Sequence, residues 1–273
     1  MTYPIRTLLP AAVLVAASAA SAHETWLLPK ETQPETPGEI TLSLASGMNF
    51  GGDGAGIAPD RIARARVHHA GGTADLAVIA EDVTETTLRA PLAAGVNCAE
   101  VVLNPRFLTL DPSKIDLYFD EIGASQAMRA SWAASENPEL WRETYTKYAK
   151  TIVRVDGADE DAAGSCWREG FDHALEFLPM SDPTALAPGD TLSVEVRLNG
   201  ATAAGQTVGL ALANGGHQPL ATANGEGRVE FPIDAPGTYM VYATNLRRSD
   251  RDGEDWTSDF ATLVFTVAET PTR

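Results

Sequence analysis

The chain has 273 residues, a hydrophobic fraction of 44%, a charged fraction of 21% and a formal net charge of −17. These are the proportions of a folded globular protein with room for two domains of ordinary size. The negative charge excludes polyanionic partners, nucleic acid and anionic lipid, and favours cations near the surface.

Residues 1–22 read as an export signal. Arg6 is their only charge, Leu8 to Ala17 is an apolar run broken only by Pro10, and Ala20-Ser21-Ala22 is a small-x-small cleavage pattern. Cleavage after Ala22 would make His23 the first residue of a periplasmic protein of about 251 residues. No later apolar run reaches the length of about 18 residues that a spanning helix needs, so no direct membrane insertion is expected. A histidine at a free amino terminus offers a metal two nitrogens, the α-amine and the imidazole. Their ordinary pKa values, about 7.7–8.0 and about 6.5, let a divalent transition metal displace the remaining protons near neutral pH.

From residue 38 the pattern is β. Ile40, Leu42 and Leu44 alternate with Thr41 and Ser43, the mark of a half-buried strand. A Gly-rich loop covers 46–56. Ile62 to His69, Leu76 to Ala80, Thr86 to Ala90 and Asn97 to Leu103 are further strands, with turns at Gly71-Gly72 and Ala94-Gly95. The period then changes. Asp111-Pro112 is an N-cap with proline at the first helical position, Ile115, Tyr118, Phe119 and Ile122 follow at helical spacing, and Gly123 suits a left-handed end. A second helix is predicted over Ser125 to Ala133. Asn137-Pro138 repeats the start signal ahead of Leu140, Trp141, Tyr145 and Tyr148, so a helical insertion is expected at about 112–149. Ile152 to Val155 returns to strand. Residues 156–170, with Asp156, Asp159, Glu160 and Asp161, read as a solvated loop.

Leu175 to Pro179 leads to a change of texture at Asp182-Pro183. From Gly189 the pattern is all strand: Leu192 to Leu198, Val208 to Leu212, Val229 to Ile233, Tyr239 to Ala243 and Leu263 to Val267, with tight-turn signals at Asn199-Gly200, Asn214-Gly215 and Asn224-Gly225. Short strands at this spacing read as an immunoglobulin-like sandwich over 183–268. The fold class expected is therefore mainly β: a β domain over 23–178 carrying the helical insertion, then the sandwich.

Candidate chemistry is sparse. Cys98 and Cys166 are the only cysteines, and in an oxidising compartment an even pair without CxxC spacing reads as one disulfide. The histidines are His23, His68, His69, His173 and His217. His68-His69 is the best metal candidate after His23, although neighbours on a strand point to opposite faces. Glu24 or Met48 could complete a shell. His173 reads as a surface or interface histidine, and His217, at a turn, as exposed and uninvolved. Asp250 to Asp255 lacks the full calcium-loop pattern and reads as a solvated hairpin. No Gly-x-Ser-x-Gly elbow occurs. Gly51 to Gly56 lacks the Lys-Ser/Thr that would hold phosphate, so no enzyme is expected.

The chain resembles the DUF4198, or NikM-like, family of exported bacterial proteins associated with nickel or cobalt uptake. The resemblance rests on His23-Glu24-Thr25-Trp26-Leu27-Leu28-Pro29, on Arg142 to Lys150, on Leu175-Glu176-Phe177-Leu178-Pro179 with Asp182-Pro183, and on Asp255 to Phe265. It implies two β domains, the second like the small regulatory domain of some carboxypeptidases, and periplasmic metal handling. The function expected is a soluble periplasmic protein that binds nickel, cobalt or copper for uptake or delivery, possession of a membrane transporter partner being implied by the resemblance alone. Its metal ligands would come from His23, His68 and His69. The alternatives are a secreted copper oxidative enzyme and a metal-free β-sandwich interaction protein.

Overall fold

The computed structural model describes residues 23–31, 34–52, 54–135, 140–156 and 164–269. The expected export signal, the Asn137-Pro138 helix start and the acids Asp159, Glu160 and Asp161 lie outside the described residues.

The first half holds β1 (Glu24–Pro29), β2 (Gly38–Gly47), β3 (Ala55–Gly56), β4 (Ile62–His69), β5 (Gly72–Asp75), β6 (Ala77–Glu81), β7 (Thr86–Leu92), β8 (Gly95–Leu103) and β9 (Arg106–Leu110). Two short helices follow, α1 (Ile115–Glu121) and α2 (Gln126–Ala133), then the long strand β10 (Trp141–Val155). The second half holds β11 (Leu175–Pro179), β12 (Thr191–Leu198), β13 (Ala201–Thr202), β14 (Thr207–Leu212), β15 (Gly216–His217), β16 (Ala221–Thr222), β17 (Arg228–Pro232), β18 (Gly237–Arg248) and β19 (Trp256–Val267).

The helix signals act as read. The Asp111 side chain accepts from Ser113 N with Pro112 behind it, Ser125 caps α2 by accepting from Met128 N, and Gly123 is left-handed at φ 61. The expected helical insertion, however, ends at Ala133. Trp141–Val155 is a strand, which corrects the helical reading of Trp141, Tyr145 and Tyr148. The apolar stripe also fits period two. Trp141, Glu143, Tyr145, Lys147 and Ala149 all point one way and are buried, and the chain here is rich in Thr, Tyr, Ile and Val, which favour strands.

Among the described residues the large sheet runs β15-β14-β18-β19-β10-β8-β4-β5, with β9 and β16 at its side. Its two halves join where β10 pairs in parallel with β19, from Glu143↔Trp256 to Thr151↔Val264. The sheet β1-β2-β7-β6, with β3 on β2, packs on one face through Leu27, Leu42, Leu44, Val67, Leu88, Val101 and Val153. The sheet β11-β12-β13, with β17 on β12, packs on the opposite face through Phe177, Val194, Val196, Val241, Leu263 and Phe265. The large sheet's second half and the sheet β11-β12-β13 with β17 thus form a β-sandwich, and its large sheet runs on unbroken into the first half.

The helices cover the end of the first face. Tyr118 and Phe119 of α1 meet Trp141 edge-on, and Trp141 stacks on Trp256 at 5.0 Å between ring centroids. A seam is left on this face between the helices and β1. Strand parity places Glu143 and Lys147 at that seam.

Candidate metal site at the amino-terminal strand

β1 lies across the large sheet and is pinned at both edges. It pairs with β2 from Glu24↔Gly47 to Pro29↔Leu42. The Thr262 hydroxyl donates to Thr25 O at 2.6 Å, and Lys147 Nζ donates to His23 O and, at 3.2 Å, to Ser46 Oγ. Ser46 Oγ in turn lies 3.0 Å from Glu24 O. The backbone of residues 23–25 is therefore held by side chains from two layers.

Two buried carboxyl groups, those of Glu143 and Glu24, lie near this point, and they differ. Glu143 is fully buried and fully satisfied, accepting from Tyr118 OH at 2.8 Å, Trp141 Nε1 at 2.7 Å and the Ser258 hydroxyl. Its environment is structural. Glu24 is half-exposed as a residue, but its Oε2 is sealed from solvent without a hydrogen-bond partner. Burial pushes its carboxyl up to about 8, with Lys147 opposing the shift and the Glu121 carboxylate adding to it. Burial pulls Lys147 down to about 8, against the attraction of Glu24. His23 is half-buried, and desolvation followed by the Lys147 charge lowers its imidazole pKa, which favours the neutral, ligating form.

The other histidines lie elsewhere. On β4, His68 projects from the face opposite to Lys147: it is paired with Cys98, which is paired with Ile152. Its ring contacts Glu100, Thr73 and Phe171. The sheet thus stands between His68 and His23. His69 shares the face of β1, but its register lies about 20 Å further along the strands than Lys147 at about 3.3 Å per residue, and its Nδ1 accepts from Gly71 N at 3.0 Å. Neither ring contacts His23. Met48 is 54% exposed. Among the described residues no three His, Cys, Asp or Glu side chains converge on one point.

Of the two readings of His173, surface or interface, burial removes the first. The residue is 5% exposed, and its Nε2 lies 2.6 Å from Glu100 Oε2. His217 is exposed as expected, yet its Nδ1 meets Tyr242 OH at 3.0 Å. Tyr242 reaches it by lying across Gly209, where a Cβ would fall well inside van der Waals contact with the ring. Gly209→Ala is expected to cost about 1–3 kcal/mol by overpacking, read as a lower urea midpoint.

Lys147, Glu143 and Glu100 were not singled out in the sequence, and His173 was read there as a surface or interface histidine. The signal for the first two was present: Glu143 and Lys147 are charges at inward positions of a period-two strand. Glu100 has the same signature among Cys98, Val102 and their neighbours on β8.

Two β-sheets stacked on opposite faces of a third, with a polar seam under the first strand, define a layered β-sandwich protein. The chain belongs to the DUF4198 family, described as a domain of unknown function, which matches residues 20–247. No curated protein matches the chain. Solved structures resemble it only distantly. The BSP domain of a biofilm associated protein is 13% identical, with 89% of this chain and 30% of that chain covered and a TM-score of 0.20. The part of native alpha-2-macroglobulin from Escherichia coli spanning domains MG0-NIE-MG1 is 12% identical, with 91% of this chain and 98% of that chain covered and a TM-score of 0.22. Murine CEACAM1b is 8% identical, with 90% and 99% covered and a TM-score of 0.21. The chain thus spans less than a third of the length of the biofilm protein, and these scores carry no argument about function.

Proposed function

We propose that the chain is exported to the periplasm, is cleaved after Ala22, and binds a divalent transition metal for uptake or delivery. The substrate ion is nickel, cobalt or copper. The ligands are the α-amine and imidazole of His23 and the carboxylate of Glu24. The observation that carries this reading is Glu24 Oε2, a buried carboxylate oxygen without a hydrogen-bond partner, one residue from His23. A buried carboxylate in that state holds its proton until a cation takes the proton's place. Lys147 occupies the carbonyl of His23, which leaves the residue's two nitrogens to chelate the ion. Nitrogen ligands of this kind suit copper(II) and nickel(II), and intrinsic affinity ranks copper first. The acidic surface raises the local concentration of cations.

The test is calorimetric titration of the processed protein with copper(II), nickel(II) and cobalt(II), beside a form carrying one extra residue ahead of His23. One-to-one binding is expected, weakened at least a hundredfold by the extra residue and about tenfold or more by Glu24→Gln. Affinity is expected to rise from pH 6 to pH 8 as the displaced protons become easier to remove. Equal binding by processed and extended forms, or no binding, overturns the assignment and leaves a β-sandwich interaction protein as the reading.

A further inference from the structure

On the opposite face of the large sheet, the sheet of β11, β12 and β13 covers β18 and β19 as far as Ala243 and Ala261, which belong to the core between the two. The next pair on this face, Asn245↔Asp259, is polar. From it a row of side chains runs across the strands. Gln206, just ahead of β14, accepts from Asn245 Nδ2 at 3.1 Å. Arg247 donates to Asn245 Oδ1 at 3.3 Å and to Asp259 Oδ2 at 2.5 Å. Tyr148 of β10 donates its hydroxyl to Asp259 Oδ1 at 3.3 Å. Asp259 is buried, and the other four are half-buried. The row crosses three strand spacings, about 14 Å.

Tyr148 joins the row to a cleft of about 440 Å³, within the size range of small-molecule sites. The cleft wall also holds Asp172, His173, Glu176, Arg197 and Asn199, and no large aliphatic side chain. Charges of both signs meet here. Glu176 is faced by its cross-strand partner Arg197 and by the charge of Lys150. Arg197 also donates to Glu195 at 2.8 Å. The wall is fixed in place. Cys166 is bonded to Cys98, Arg64 donates to Phe171 O at 2.6 Å, and the Tyr148 ring stacks on His173 at 5.0 Å.

A hydroxyl group both donates and accepts hydrogen bonds. A ligand rich in hydroxyls is therefore matched by donors and acceptors set side by side. Guanidinium and amide N–H groups beside carboxylate and amide oxygens supply them here, both in the cleft and along the row. Side chains already locked by one another lose little freedom when a ligand arrives. A peptide strand would seek an open strand edge with side pockets, whereas this row lies on a sheet face. We propose that cleft and row form one binding groove for a neutral oligosaccharide. Arg197, Asp172 and Asn199 hold its cleft end, and Arg247, Asn245 and Gln206 hold it along the sheet. This groove is separate from the site at His23 and does not depend on it.

The test is nuclear magnetic resonance of the full processed chain labelled with ¹⁵N. The probes are maltotriose, cellotriose and triacetylchitotriose, with tetraethylene glycol as an uncharged counterpart poor in hydroxyls. At least one trisaccharide is expected to shift the amide signals of Asn199, Asn245 and Arg247 saturably at millimolar concentration or below, and the glycol to leave them unmoved. Arg247→Gln and Asn199→Gly are each expected to weaken that trisaccharide about tenfold. Asn199 has φ 51, a left-handed backbone that glycine adopts freely, so the second variant keeps the fold. No shift with any of the three sugars, an equal shift with the glycol, or unchanged affinity in either variant overturns the proposal.

Discussion

Glu100→Ala is expected to lower the stability of the protein by about 3–5 kcal/mol, the range for breaking a buried ion pair from one side. Glu100 is 1% exposed and serves three partners: His173 at 2.6 Å, Arg64 at 2.9 Å and His68 at 3.3 Å. Removing it strands His173 Nε2–H and deprives Arg64 of its carboxylate inside the layer. The same residue sets an acid limit. Its folded pKa of about 2 lies below the ordinary 4.5. The stabilisation is therefore complete above about pH 4.5 and is lost as the pH falls toward 2, by about 3 kcal/mol in all. Urea midpoints measured from pH 5 to pH 2.5 should fall steeply in the native protein and less steeply in Glu100→Gln. Parallel slopes would show that Glu100 does not set the limit. Glu24 has the opposite sign. Its folded pKa is raised to about 8, so its contribution is complete below about pH 4.5 and declines as the pH rises toward 8.

The second large effect is reduction of the Cys98–Cys166 disulfide, expected to cost about 4 kcal/mol from the entropy of the loop it closes across 68 positions. The bond is buried in the core cluster between the large sheet and the sheet of β11, β12, β13 and β17, and it anchors the segment that carries Phe171 and His173. Cys98→Ala/Cys166→Ala removes the same cross-link together with two buried sulfur atoms, so it is expected to cost as much as reduction or more. Urea unfolding with and without reductant reads the effect. A midpoint that reductant leaves unchanged, with free thiols confirmed, would remove the loop-closure account.

Much of the fold was legible locally. Strict alternation marked β12, β17 and β18, and the N-cap at Asp111 and the start of the second helix at Ser125 lie where the sequence placed them. Asn199 and Gly200 both take positive φ in a tight turn. The pairing of two cysteines followed from their even number and from the expectation of an oxidising compartment. What failed was β10. Trp141, Tyr145 and Tyr148 satisfy a helical spacing as well as a strand one, and only the long partners β8 and β19 decide between them.

The candidate sites show the same division. His23 and Glu24 were visible because their meaning rests on neighbouring positions in the chain. Their setting was not: Lys147 is 124 positions from His23, and His173 is 73 from Glu100. The sequence by itself determined element periods, turns, caps and the disulfide, because each depends on residues within a few positions or on their count. Tertiary structure alone decided which face of the sheet each side chain joins. That choice put His68 with His173, on the far side of the sheet from His23, and it arises from strand order and register, which no local pattern encodes.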